Sequence, residues 1–166
     1  MQYQGKALRV GDHIDTDVII PARYLTTSDP KELGADCMSG LSPDWVTQVE
    51  PTDILVGGVN FGCGASRAHA PIAILGAGIK VVVAANFARI FYRNSFNVGL
   101  PLLEIGDAVE DIEQGQQLAI AADKGEVRNL TTGKTFACPP LPGAIKDILN
   151  AGGLEGYVKN QVKNRG

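Results

Sequence analysis

Basic residues are in the minority in this 166-residue chain. Its 15 lysines and arginines face 18 acids, for a formal charge of −3. A nucleic-acid surface normally shows a basic patch, so nucleic acid is not an expected partner. Long apolar runs are missing too, and none approaches the roughly 20 residues that a membrane-spanning helix needs. The opening MQYQGKALRVGDHID has no apolar core of a signal peptide. The expected location is the cytoplasm. Cysteine is scarce, with Cys37, Cys63 and Cys138 odd in number, widely spaced and in no CxxC pairing. The chain alone therefore offers no ligand set for zinc or an iron–sulfur cluster, and no metal site is expected in it. Burial as free thiols accounts for Cys37 and Cys138. Repeats and low-complexity stretches are absent as well.

The remainder is ordinary globular material, 45% apolar and 20% charged. A chain of this length can bury about 70% of its unfolded surface, which suits one domain over residues 1–166. Residues 3–10 read as a first strand. In GDHIDTDVIIPARYL, Asp15 and Asp17 suit Asx-type turns, and two close carboxylates also suit metal or acid–base work. Asp29 before Pro30 predicts a capped helix over residues 30–38. Residues 53–56 read as a short buried strand, and residues 80–85, KVVVAA, as a strand covered on both faces. FARIFYRNSFNVG predicts a helix turning Phe87, Ile90, Phe91 and Phe96 inward, with Arg89 and Arg93 together on a solvated face. Residues 101–105 form another strand. From residue 108 to 137 short strands and turns predict an antiparallel region with a hairpin at TTG. Two helices close a mixed β/α domain.

The organising stretch is residues 57–71, GGVNFGCGASRAHAP, between the strand ILV and the helix APIAIL. Its glycines permit positive φ and close approach to a ligand. Ser66, Arg67 and His69 arrive where the helix begins, and Arg67 adds a forked donor for carboxylate or phosphate. Cys63 sits inside this loop, where a site-lining role is open. One reading is a pocket for a small anion. The other is a glycine-rich turn leading into a capped helix.

GDHIDTDVIIPARYL, VGGVNFGCGASRAHAPIAI and VVAANFARIFYRNSFNVGLPLLEI together resemble the small subunit of 3-isopropylmalate dehydratase, a free-standing swivel domain of the aconitase superfamily. The likeness continues through NLTTGKTF to ILNAGGL. It implies an α/β fold, a three-layer β/β/α swivelling domain with a mixed sheet. It also implies a large-subunit partner holding a [4Fe–4S] cluster, with none in this chain. The implied substrate is a small di- or tricarboxylic acid, and the implied reaction converts 2-isopropylmalate to 3-isopropylmalate by dehydration and rehydration in leucine synthesis.

By the same resemblance Ser66 and Arg67 match the substrate-contacting pair, and Asp17 matches an acidic residue of the active site. Gly64 and Ala65 line the substrate, and Tyr24, Leu25 and Thr26 face its variable substituent. Thr26 cannot pair with a distal carboxylate as arginine would, which suits an alkyl group. The family motif Gly-Ser-Ser-Arg-Glu-His stands here as Gly64-Ala65-Ser66-Arg67-Ala68-His69. The family's base serine is thus Ala65, its glutamate is Ala68, and its serine before Phe-Ala-Arg is Asn86. These departures leave open a non-catalytic swivel subunit that binds without turnover. A related citraconate, dimethylmaleate or homoaconitate hydratase subunit also remains open.

Overall fold

The computed structural model describes residues 2–165, with backbone alone at 154, 157 and 163–165. Strand β1 (Gln2–Arg9) divides its hydrogen bonding between two neighbours. Gln2 to Lys6 run antiparallel to β5 (Gln117–Ala121), and Ala7 to Arg9 run parallel to β2 (Ile54–Val56). Beyond β2 lie β3 (Val82–Ala84) and β4 (Leu102–Glu104), both parallel. Beyond β5 lie β6 (Glu126–Asn129) and β7 (Thr135–Ala137), both antiparallel. The result is one mixed seven-stranded sheet in the order β4-β3-β2-β1-β5-β6-β7.

The two halves follow from their sequences. ILV and VVA are apolar without alternation and fully buried, as parallel strands covered on both faces must be. QLAIA and EVRN alternate buried and more exposed residues, the period of a sheet with one wet face. The TTG hairpin forms as expected. Asn129, fully buried, accepts from the N–H groups of Thr131 and Thr132 at 3.0 and 3.2 Å, and Gly133 takes φ +81°.

Six helices complete the described chain: α1 (Thr16–Ile19), α2 (Pro30–Ala35), α3 (His69–Gly76), α4 (Arg89–Asn97), α5 (Gly143–Asn150) and α6 (Leu154–Arg165). Four expectations need correction. The helix over 30–38 stops at Ala35, because Met38 turns to φ +59° and donates its N–H to the Ile19 carbonyl at 2.7 Å. Asp29 makes no side-chain cap bond there; its own N–H donates to Thr27 Oγ1. The strand over 80–85 shortens to β3, since the Ala85 N–H leaves the ladder for the Gly58 carbonyl. In α4, Phe91 and Phe96 are buried as expected, but Ile90 is 52% exposed. Adjacent helical residues lie about 100° apart, so Ile90 cannot share the inward face with Phe91. Phe87 precedes the helix and is half-buried. No helix among the described residues is long and apolar enough to cross a membrane.

Candidate functional site

Because β1, β2 and β3 run parallel, the segments leaving their carboxyl ends emerge at one edge of the sheet. Open α/β sheets place ligands at that edge. Here the segments are laced together by backbone bonds. His13 N donates to the Val59 carbonyl and Gly62 N to Ile14, at 2.8 and 2.7 Å. Thr16 N donates to Cys63 at 2.8 Å, Phe61 N to Asn86 at 3.1 Å, and Ala88 N to Phe61 at 2.9 Å. Side chains add to the lacing. Thr16 Oγ1 donates to the Ala65 carbonyl at 2.8 Å, and Asn86 Oδ1 accepts from Asn60 N–H at 2.7 Å. Asn86, one of the departures from the family pattern, is thus a buttress of the glycine loop.

Phe61 anchors the loop from below. It is fully buried and meets Phe87 and Phe91 edge-on, with ring centroids 5.8 and 5.4 Å apart. Each such pair adds about 0.5–1.5 kcal/mol beyond area burial. Gly62 follows at φ +84°, and a Cβ there would overlap the Phe91 ring. Gly62→Ala therefore combines left-handed strain with overpacking. It should lower stability by about 2–4 kcal/mol, read in thermal melts as a fall in Tm of roughly 5–15 °C. An unchanged Tm would show that the loop does not hold this backbone conformation. Gly64, at φ +92°, makes the second left-handed turn and brings the chain to Ala65.

A cleft of about 170 Å³ opens above the loop, lined by Thr16, Gly64, Ala65, Ser66 and Arg67 on one side and by residues 88–91 with Asn94 on the other. Ser66 is exposed and its hydroxyl has no hydrogen-bond partner among the described residues. Arg67 Nη1 donates to Asp17 Oδ1 at 3.1 Å and to the Ile20 carbonyl at 3.4 Å. The remaining guanidinium donors are free for a ligand. Asp17 is 65% exposed, so the ion pair contributes only about 0–1 kcal/mol to stability. Its effect is to aim Arg67. Asp15 takes the Asx role expected of it, capping α1 by accepting from Val18 N–H at 2.8 Å.

The predicted residues divide into two groups. Gly64, Ala65, Ser66 and Arg67 come together in the cleft, with Asp17 joined to them through Arg67. Tyr24, Leu25 and Thr26 do not line it. Tyr24 ends a 3-10 turn over Ala22–Tyr24 and Leu25 and Thr26 follow it; the turn's first N–H donates to Asp17 Oδ1 at 3.3 Å. His69 opens α3 and also lies outside the cleft lining.

The sequence reading missed Thr16, Asn94 and above all Arg89 as lining residues. Arg89 and Arg93 are both exposed, as read, but only Arg89 borders the cleft. The available signal was topological. A helix entered from the carboxyl end of β3 starts at the same sheet edge as the loop after β2.

The three cysteines are free. Burial pushes the Cys37 thiol up to about 12, and half-burial also raises Cys138. Cys63 is half-buried in the loop. Among the described residues no group of three or more histidines, cysteines or acids is arranged to hold a metal ion. The described residues therefore offer no ligand arrangement for an iron–sulfur cluster.

Comparison with known proteins agrees along the chain. The family model described as the aconitase C-terminal domain matches residues 43–108, from before β2 through β4. The 3-isopropylmalate dehydratase small subunit of Desulfovibrio desulfuricans is 60% identical over 162 residues, covering 98% of both chains. That of Caldanaerobacter subterraneus subsp. tengcongensis is 53% identical over 160 residues, covering 96% of this chain and 99% of the relative. The crystal structure of 3-isopropylmalate dehydratase from Methanocaldococcus jannaschii superposes with a TM-score of 0.94 at 43% identity, covering 99% of this chain and 98% of that one. Aconitase X of Thermococcus kodakaraensis, at 16% identity and a TM-score of 0.55, shares the fold alone.

Proposed function

We infer the function from one premise: the chain belongs to the family of 3-isopropylmalate dehydratase small subunits. Its fold is the α/β swivelling fold of the aconitase superfamily, built on the mixed sheet. We propose that residues 1–166 act as a single swivel domain, the small subunit of a heteromeric hydro-lyase in leucine synthesis. The complex interconverts 2-isopropylmalate and 3-isopropylmalate. The observation that carries this reading is identity of 60% over 98% of both chains.

The cleft supports a division of labour between two chains. At about 170 Å³ it falls below the roughly 300–1,000 Å³ of self-sufficient ligand pockets. A large subunit completes it and carries the [4Fe–4S] cluster, for which the described residues of this chain present no ligand set. When bound there, the cluster supplies Lewis-acid chemistry toward hydroxyl and carboxylate oxygens. Three free thiols suit the reducing cytoplasm.

In the net reaction a carbon-bound proton and the neighbouring hydroxyl leave as water, forming an alkene. Water then adds back with the two positions exchanged. This chain's share is to hold and orient the acid. Arg67 clamps one carboxylate through its free donors, while Asp17 fixes the guanidinium from behind. Gly64 brings residue 65 to the cleft, at the position from which the family's serine takes the proton. Ala65 has no proton to exchange, so the chain binds well and turns over slowly. Through Asp17 the turn bearing Tyr24, Leu25 and Thr26 is tied to Arg67, which suits those residues to face the distal alkyl group once the partner closes over them.

The test is co-expression with the large subunit of a relative such as Desulfovibrio desulfuricans, with anaerobic cluster reconstitution. The expected result is a stable complex that slowly forms the alkene from isopropylmalate, followed by its ultraviolet absorbance. A complex that binds isopropylmalate without turnover would favour the binding-module reading that Ala65 and Ala68 suggest. A complex that prefers homoaconitate or citramalate would move it to a sister activity. Failure to form any complex would defeat the assignment.

A further inference from the structure

We propose that Arg89 is the second carboxylate-binding cation of the cleft, so that both cations flanking the dianion, Arg67 and Arg89, come from this chain. The inference rests on the cleft being a small-acid site, as argued above, and adds a residue that the family motif does not supply. Two cations and no carboxylate are among the residues lining the cleft. They come from different elements, Arg67 from the loop after β2 and Arg89 from the first residue of α4.

Their surroundings differ in a telling way. Arg67 is partly neutralised by Asp17 at 3.1 Å. Arg89 has no ion pair and no hydrogen bond among the described residues. Arg93, four residues further along the same helix, is also exposed but lies outside the cleft lining. Two cationic residues bordering one cleft repel each other until an anion lies between them. A single carboxylate answers one fork only. An acid with two carboxylates answers both, and bidentate pairing makes the match geometric as well as electrostatic. The N–H groups of the first turn of α4 have no acceptor within their own helix and add to the positive potential on that side.

The experiment is calorimetric titration of the reconstituted two-subunit complex. The probes are 3-isopropylmalate and its two monoamides, each lacking one carboxylate. The unaltered complex should bind the dianion at least about tenfold more tightly than either monoamide. Arg89→Gln should weaken the dianion by about tenfold or more. It should leave unchanged the monoamide that lacks the carboxylate facing Arg89, as a double-mutant cycle requires. Arg89→Lys should recover part of the loss, and Arg93→Gln should change nothing.

Equal weakening of all three ligands by Arg89→Gln, or no weakening, overturns the proposal. So does an undiminished preference for the dianion accompanied by a loss of affinity between the subunits, which would make Arg89 an interface residue. Absence of dianion binding to the unaltered complex also overturns it. Discrimination that follows Arg89 in a complex without turnover sinks the assigned reaction but supports the two-arginine site.

Discussion

Ala65→Ser raises kcat by at least about 10²-fold, with little change in KM, when the variant is assembled with a cluster-bearing large subunit. The magnitude follows from what a positioned general base contributes, typically about 10²–10⁴ in rate. A change confined to kcat is the signature of an interaction made in the transition state. The geometry accommodates the new hydroxyl, because Ala65 is exposed and lines the cleft, so an oxygen on its Cβ meets no buried neighbour. Arg67 stays in the same cleft, where its charge favours an alkoxide. Ser66 already borders the cleft with a free hydroxyl, so the matching control is Ser66→Ala in the unaltered chain. If Ala65→Ser gives no gain while Ser66→Ala abolishes a substantial activity, Ser66 is the base of this protein.

Arg67→Lys should raise KM or the inhibition constant of a substrate analogue by about tenfold or more. A lysine keeps the positive charge but presents a point donor where arginine presents a fork. Charge-assisted bonds of this kind contribute about 1.5–3 kcal/mol net, enough for that loss. The present geometry sharpens the expectation. Arg67 Nη1 is engaged by Asp17 and the Ile20 carbonyl, leaving the other donors for ligand. An ammonium group drawn to Asp17 would have fewer donors left for the substrate. Stability should hardly move, because the Asp17 end of the ion pair is 65% exposed to water. Equal affinity in circular-dichroism-matched wild type and variant would make Arg67 a structural surface residue.

Much of this protein is determined by local pattern, and that part was legible in the chain. ILV and VVA had to be buried strands because nothing polar interrupts them, and QLAIA had to have one wet face because it alternates. Asn129 and Gly133 specify their hairpin through bonds and dihedrals within a few residues. Gly62 and Gly64 announced the tight turns of the loop, since φ of +84° and +92° is a backbone requirement that sequence displays directly. Element ends were less legible, because they depend on partners far away, as when Met38 donates to Ile19 and so breaks the helix before it.

Only the tertiary structure decided which side chains share the site. Asp17 and Arg67 are 50 residues apart, and no periodicity links them. They meet because β1 and β2 are adjacent parallel strands whose loops leave one edge together. Arg89 and Arg93 looked equivalent in sequence, but the order β3-β2-β1 brings the start of α4 to the glycine loop, so that Arg89 borders the cleft and Arg93 does not. Tyr24, Leu25 and Thr26, close in sequence to Asp17, end outside the cleft because the turn at Ala22 carries the chain away from it. Local hydrogen bonding and apolar spacing act over a few residues, and a sequence displays them. Convergence at a site is a property of strand order, which is settled only when the whole sheet packs.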